Sequence, residues 1–219
     1  MSTKRLGNPS SVNPYISPKY TAADWKALDL STESSPDWSK AVDIYLDRIR
    51  GRFLAPIQAI INHTDSEIHE FCGFTVISID CLLIETMNQF HKGKDRTTER
   101  HHWEAFRDFF LGSEYFQSEF DTDKKVEVFY DHFRNGILHQ AQTKKLSIIR
   151  TCMANMVQVV NPRNINQGLI IDRTRFHDAL VSDINEYAEK IRHPSSQNDI
   201  YLRNNFVIKM NLITSRKSL

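Results

Sequence analysis

Residues 71–90, FCGFTVISIDCLLIETMNQF, are apolar on almost every face of a helix, and such a helix is stable only where other elements cover it. The most apolar stretch, 71–84, is shorter than the roughly 20 residues a bilayer span requires. Asp80 inside it argues further against lipid surroundings. Cover must therefore come from the chain itself, with this segment at the centre of a bundle. The 219 residues (25.5 kDa) suffice, because a fold of that mass buries roughly 70% of the surface its unfolded chain exposes.

Helical periodicity supplies the covering elements. Ser35-Pro36-Asp37 reads as a helix start, Ser35 capping and Pro36 at the first position. Over 38–61, Val42, Tyr45, Leu46, Ile49, Phe53, Ile57 and Ile60 recur at steps of three and four. Pro56 should kink or divide that helix. Thr64 and Glu67 have capping-box spacing ahead of the apolar run, and Gly93 closes it. A third helix is expected over about 98–111, with Trp103, Phe106, Phe109 and Phe110 facing the core. A fourth, from about 121, carries Val126, Phe129, Tyr130 and Phe133 toward RNGILH. After Gln140 the period changes. The runs 146–149, 156–160 and 168–171 are short and β-branched between Asn- and Pro-rich turns, which predicts a small antiparallel β insertion over about 146–171. Helical spacing returns over 172–192 and, more weakly, over 198–213. Residues 1–35 read as a polar arm that Trp25 and Leu28 can pin to the body. The expected fold is mainly α, a helical bundle in 36–219 bearing that insertion.

Charge narrows the partners little. Lys+Arg 28 against Asp+Glu 27 gives a formal net charge of +1, which singles out neither nucleic acid nor membrane but leaves room for a local basic groove. Cys72, Cys81 and Cys152 have no C-x-x-C spacing and do not pair off evenly, as in a reducing cytoplasm. The first twenty residues lack the apolar core of an export signal. A soluble, cytoplasmic protein with no membrane association is expected.

The stretch FYDHFRNGILHQAQTKK, 129–145, gathers the side chains best suited to chemistry. Arginine offers a planar fork of donors matched to phosphate, and histidine exchanges protons near neutral pH. Arg134, Asn135 and His139 thus form a minimal set for phosphodiester chemistry. On a straight helix Arg134 and His139 diverge by roughly 140°. Either Gly136 bends the helix, or each residue works with its counterpart in a second subunit. The spacing is equally compatible with a solvated arginine and a core or capping histidine. Glu85 and Asp80, set in the apolar helix, each require a partner: one could orient Arg134 or His139, or both could form structural pairs. His91, His101 and His102 lie near Glu99 and Glu104, but adjacent His101 and His102 cannot share a helix face, so no metal is expected, nor any cofactor.

RNGILH, with its aromatic lead-in, resembles the R-x(4–6)-H motif of the HEPN superfamily (higher eukaryotes and prokaryotes nucleotide-binding domains), particularly its single-domain bacterial members on mobile or defence-associated elements. The resemblance spans about residues 37–192, its specific part being the six-residue motif. It implies a helical bundle that forms a homodimer, and a metal-independent endoribonuclease acting on an RNA substrate, as a toxin or defence effector with an antitoxin or activating partner. It also allows a non-catalytic RNA-, nucleotide- or protein-binding module. Arg134 matches the motif arginine, Asn135 its polar neighbour and His139 the motif histidine. Glu85 stands where such proteins often keep a supporting polar residue. Lys144, Lys145, Arg150 and Arg163 are the candidate RNA-binding cations.

Overall fold

The computed structural model describes residues 13–98 and 101–215. Residues 1–12 of the expected arm, and the first turn expected for the third helix at residues 99–100, lie outside the described residues. The helices are α1 (Ala22–Lys26), α2 (Asp37–Ile49), α3 (Ala55–Ile61), α4 (Ser66–Phe71), α5 (Gly73–Lys92), α6 (His102–Gly112), α7 (Asp123–Phe129), α8 (Gly136–Gln140), α9 (Arg173–Arg192) and α10 (Gln197–Ser215). Three short strands, β1 (Ile148–Arg150), β2 (Val157–Val159) and β3 (Leu169–Asp172), fall between α8 and α9. The protein is mainly α with a small β insertion.

Helix α5 is the centre, packed by α6, α9 and α10. Val76, Ile77, Leu83, Ile84, Met87 and Phe90 are fully buried along it, and Gly93 ends it in the left-handed conformation, φ 61°. Two details depart from expectation. The cap ahead of this region is Asp65, which accepts the Glu67 N–H, and the chain breaks at Cys72 into α4 and α5. One face of the pair stays open: Phe71 is 75% exposed, with Phe74 and Leu82 also uncovered.

Pro56 divides the first long helix in a specific way. Its ring would collide with the carbonyl four residues earlier. The turn before it widens over Arg50–Leu54 into a π-helical segment, where the Ala55 N–H bonds the Arg50 carbonyl. Ser35 Oγ accepts the Asp37 N–H at the start of α2. From the arm, α1 is closed by a capping box between Thr21 and Asp24. Trp25 is buried edge-on against Phe206 and donates its indole N–H to Asn211 Oδ1 at 2.8 Å.

An aromatic stack stands behind α7. Phe110 lies parallel to Phe120 at 4.0 Å between centroids, and Phe129 parallel to Phe176 at 5.1 Å. The two pairs meet edge-to-face, Phe110 on Phe129 at 89° and Phe120 on Phe176 at 85°, so four separate segments join in one aromatic cluster at the helix that leads into RNGILH.

The sheet is mixed, where an antiparallel insertion was expected. Strand order is β1-β3-β2, with β1 parallel to β3 (Ile148↔Ile170) and β2 antiparallel to it (Val157↔Ile171). Burial gives the reason. Leu169, Ile171 and Asp172 make β3 the most enclosed strand, so it takes the centre, where both edges are paired, while β1 and β2 flank it.

Candidate functional site

Helices α7 and α8 are one continuous helix interrupted by a π-helical segment, Tyr130–Asn135. Its widened hydrogen bonding shows at Gly136, whose N–H reaches back to the Asp131 carbonyl. Buried His132 fastens this segment to the sheet: its Nδ1 lies 2.8 Å from Ser147 Oγ, and its carbonyl accepts the Lys144 N–H. Burial, with Lys145 nearby, pushes the His132 imidazole below its ordinary pKa. That histidine is a structural one.

Arg134 and His139 then line one open groove of about 580 Å³, together with Asn135, Tyr130, Gln140, Lys144 and His102. The divergence expected on a straight helix is thus resolved within a single chain. Arg134 is 14% exposed and fully directed. Its Nε donates to Glu85 Oε1 at 3.0 Å, Nη2 stands 3.0 Å from the same oxygen, and Nη1 donates to Asn135 Oδ1 at 3.0 Å. The guanidinium carbon lies 5.5 Å from the centroid of the Tyr130 ring. Desolvation raises the Tyr130 hydroxyl pKa, Arg134 opposing it. Asn135, its oxygen committed to Arg134, also hydrogen-bonds the Tyr130 hydroxyl through its side chain, which works against the effect of burial on that hydroxyl. His139 is exposed at the rim, and its ring makes no hydrogen bond to the described residues.

Of the supporting residues, Glu85 meets Arg134 rather than His139. Asp80 instead pairs with His177, Oδ1 to Nδ1 at 2.9 Å, in full burial. Burial raises the Asp80 pKa against the pull of His177. Lys144 reaches the groove, bonded to Asp131 at 2.6 Å. Against the upward pull of burial, that bond holds Asp131 below the usual carboxylate range. The other cations lie elsewhere. Lys145 donates to the Asn166 carbonyl, Arg150 sits on the outer strand β1, and Arg163 is exposed in the turn before β3.

The residue that sequence reasoning missed is His102, at the start of α6. Its Nδ1 is 3.1 Å from Glu85 Oε2 and 3.2 Å from Arg134 Nη2. Glu85 thus gives one oxygen to the guanidinium and the other to an imidazole. Only the packing of α6 against α5 makes this contact, 17 residues from Glu85 and 32 from Arg134.

No set of three or more His, Cys, Asp or Glu side chains among the described residues is grouped to hold a metal ion. No helix of the described residues is long and apolar enough to cross a membrane. The chain matches no protein-family model, no curated protein and no solved structure.

Proposed function

We propose that this chain is a metal-independent endoribonuclease of HEPN type. One observation carries the reading: a guanidinium held in place by Glu85 and Asn135 opens on the same groove as an exposed, unbonded imidazole. In RNA the 2′-oxygen attacks the adjacent phosphorus, and charge grows on the phosphorane oxygens. Arg134 is already oriented and adds no reorganisation cost when that charge forms. Asn135 supplies a further N–H. His139 exchanges a proton with the attacking or departing oxygen, and Lys144 attracts the backbone. The products are a 2′,3′-cyclic phosphate and a 5′-hydroxyl.

A homodimer belongs to the same reading. Its support is apolar surface beside the motif, with Leu138 50% and Leu82 47% exposed on α8 and α5. A two-fold contact there would set two grooves side by side. A toxin or defence role in the cytoplasm, held by an antitoxin or activator, is the biological setting this activity suits.

The alternative, a non-catalytic RNA-, nucleotide- or protein-binding module, has its own support. Every nitrogen of the Arg134 guanidinium already has a contact within the chain. One experiment separates the two: purified protein, mixed RNA and EDTA, followed by end-group analysis. Cleavage to cyclic phosphates that His139→Ala abolishes, with the helical circular dichroism intact, is the expected result. RNA bound but never cut would leave the binding module.

A further inference from the structure

We infer that His102 is a second proton-transfer group of this site, acting through Nε2 as the base that takes the 2′-hydroxyl proton, with His139 as the acid. The inference rests on the ribonuclease reading. Breaking an internal RNA linkage needs one group to accept a proton and another to give one, and the groove of a single chain is lined by two imidazoles.

Hydrogen bonding around Nδ1 decides what His102 can do. That nitrogen lies within bonding distance of a carboxylate oxygen, Glu85 Oε2, and of a donor, Arg134 Nη2. It can serve only one of them. If Nδ1 accepts from Arg134, the proton sits on Nε2, the base is blocked, and a guanidinium N–H is spent inside the protein. If Nδ1 donates to Glu85, the ring is fixed by the carboxylate and the lone pair of Nε2 is left for the groove. The Nη2 hydrogen is then released toward a phosphate as well. One tautomer thus readies both the base and the oxyanion donor. Glu85 favours it: a carboxylate can only accept, and Oε2 has no other bond to the described residues. A carboxylate behind the far nitrogen orients a catalytic imidazole and stabilises the imidazolium that forms. With its side chain 19% exposed, His102 is open enough to reach substrate yet shielded enough to keep its orientation.

The step balances without any co-reactant. The 2′-hydroxyl proton passes to His102 Nε2 as the O2′–P bond forms. The P–O5′ bond breaks, and O5′ takes a proton from His139. Exchange with water restores both rings.

The test compares His102→Ala, His102→Asn and His139→Ala on two RNA oligonucleotides, one ordinary and one with sulfur replacing the 5′-bridging oxygen at the linkage the wild type cuts. A thiolate departs without protonation, so it relieves the need for an acid but not for a base. Asn keeps an amide donor at the position of Nδ1 and lacks Nε2. On ordinary RNA, both His102 variants should lose about 100- to 10,000-fold in cleavage rate, with RNA affinity and thermal unfolding near wild type. On the sulfur linkage, His139→Ala should recover and neither His102 variant should. Wild-type cleavage by His102→Asn would reduce the ring to positioning Glu85 and overturn the inference, as would wild-type cleavage by His102→Ala or recovery of the His102 variants on sulfur. If His139→Ala is dead while His102→Ala is silent, the inference fails and the nuclease reading survives. A wild-type protein that cuts neither RNA overturns both.

Discussion

Arg134 is the residue whose chemistry a conservative change exposes best. Its Nε and Nη2 share Glu85 Oε1 while Nη1 holds Asn135. Lysine keeps the charge but gathers its three donors on one nitrogen in place of the planar fork, so it cannot span Glu85, Asn135 and a phosphate in the guanidinium's geometry. Arg134→Lys should lower turnover by about 100- to 1,000-fold, the usual loss on removing an oxyanion donor. RNA affinity should fall far less, since a positive charge remains. Turnover and affinity measured in one buffer at fixed salt check this: equal turnover would place Arg134 outside the chemistry, and matched losses would favour the binding module. Much of the site could be read from residue type alone. A carboxylate within an apolar helix must find a partner, and Glu85 and Asp80 both did, the first with Arg134 and the second with His177. Which partner each found depends on how α5 meets the Tyr130–Asn135 segment and α9, a relation no local pattern encodes. His102 escaped for a related reason. Beside His101 it invited a question about metal ligation, whereas its actual neighbours come from distant segments.

Within the motif element, two small residues should respond in opposite directions. Gly136 has an ordinary helical φ of −59°, so space rather than conformation demands glycine there. A Cβ would meet the Gln142 carbonyl oxygen at 2.5 Å and the Lys144 nitrogen at 3.3 Å, both backbone. Gly136→Ala should therefore destabilise the protein by about 1–3 kcal/mol and, by pushing Lys144 off the groove, slow cleavage as well. Ala141 caps the same helix at φ 52°, a left-handed conformation that a Cβ disfavours. Ala141→Gly should be neutral or stabilising by up to about 1 kcal/mol. Urea midpoints for the two variants read both signs. Helix positions were legible because apolar spacing repeats along them, and Gly93 and Pro56 marked boundaries through their own stereochemistry. The two π-helical segments left no such trace. A wide turn follows from what must fit around it, Pro56 in one case and the returning chain at residues 142–144 in the other. The parallel β1–β3 pairing was equally hidden, since it depends on which strand the body buries deepest.

Two groups far from the groove link the stability of the whole molecule to pH with opposite slopes. Burial holds the Asp183 carboxyl up at about 6, against an ordinary 3.8, despite a hydrogen bond from Ser113. Burial against Tyr187, with Lys190 and Lys92 nearby, drives His91 down to about 4 from 6.5. Between about pH 4 and 6 the native state keeps the Asp183 proton that the unfolded chain has released, so this group's contribution falls as pH rises. Over nearly the same window the unfolded chain binds a proton at His91 that the native state refuses, so that contribution grows as pH rises. The two largely offset, and the pair should leave wild-type stability flatter there than either alone. Asp183→Asn removes one slope and uncovers the other. From pH 4 to pH 7 the variant should gain on wild type by about 1–3 kcal/mol, at about 1.4 kcal/mol per pKa unit and discounted for the partial exposure of Asp183. Unfolding free energies from urea titrations at pH 4, 5, 6 and 7 give the comparison directly. A difference between the two proteins that stays constant with pH would mean that Asp183 titrates alike in the folded and unfolded chains, and that burial on α9 does not hold its proton.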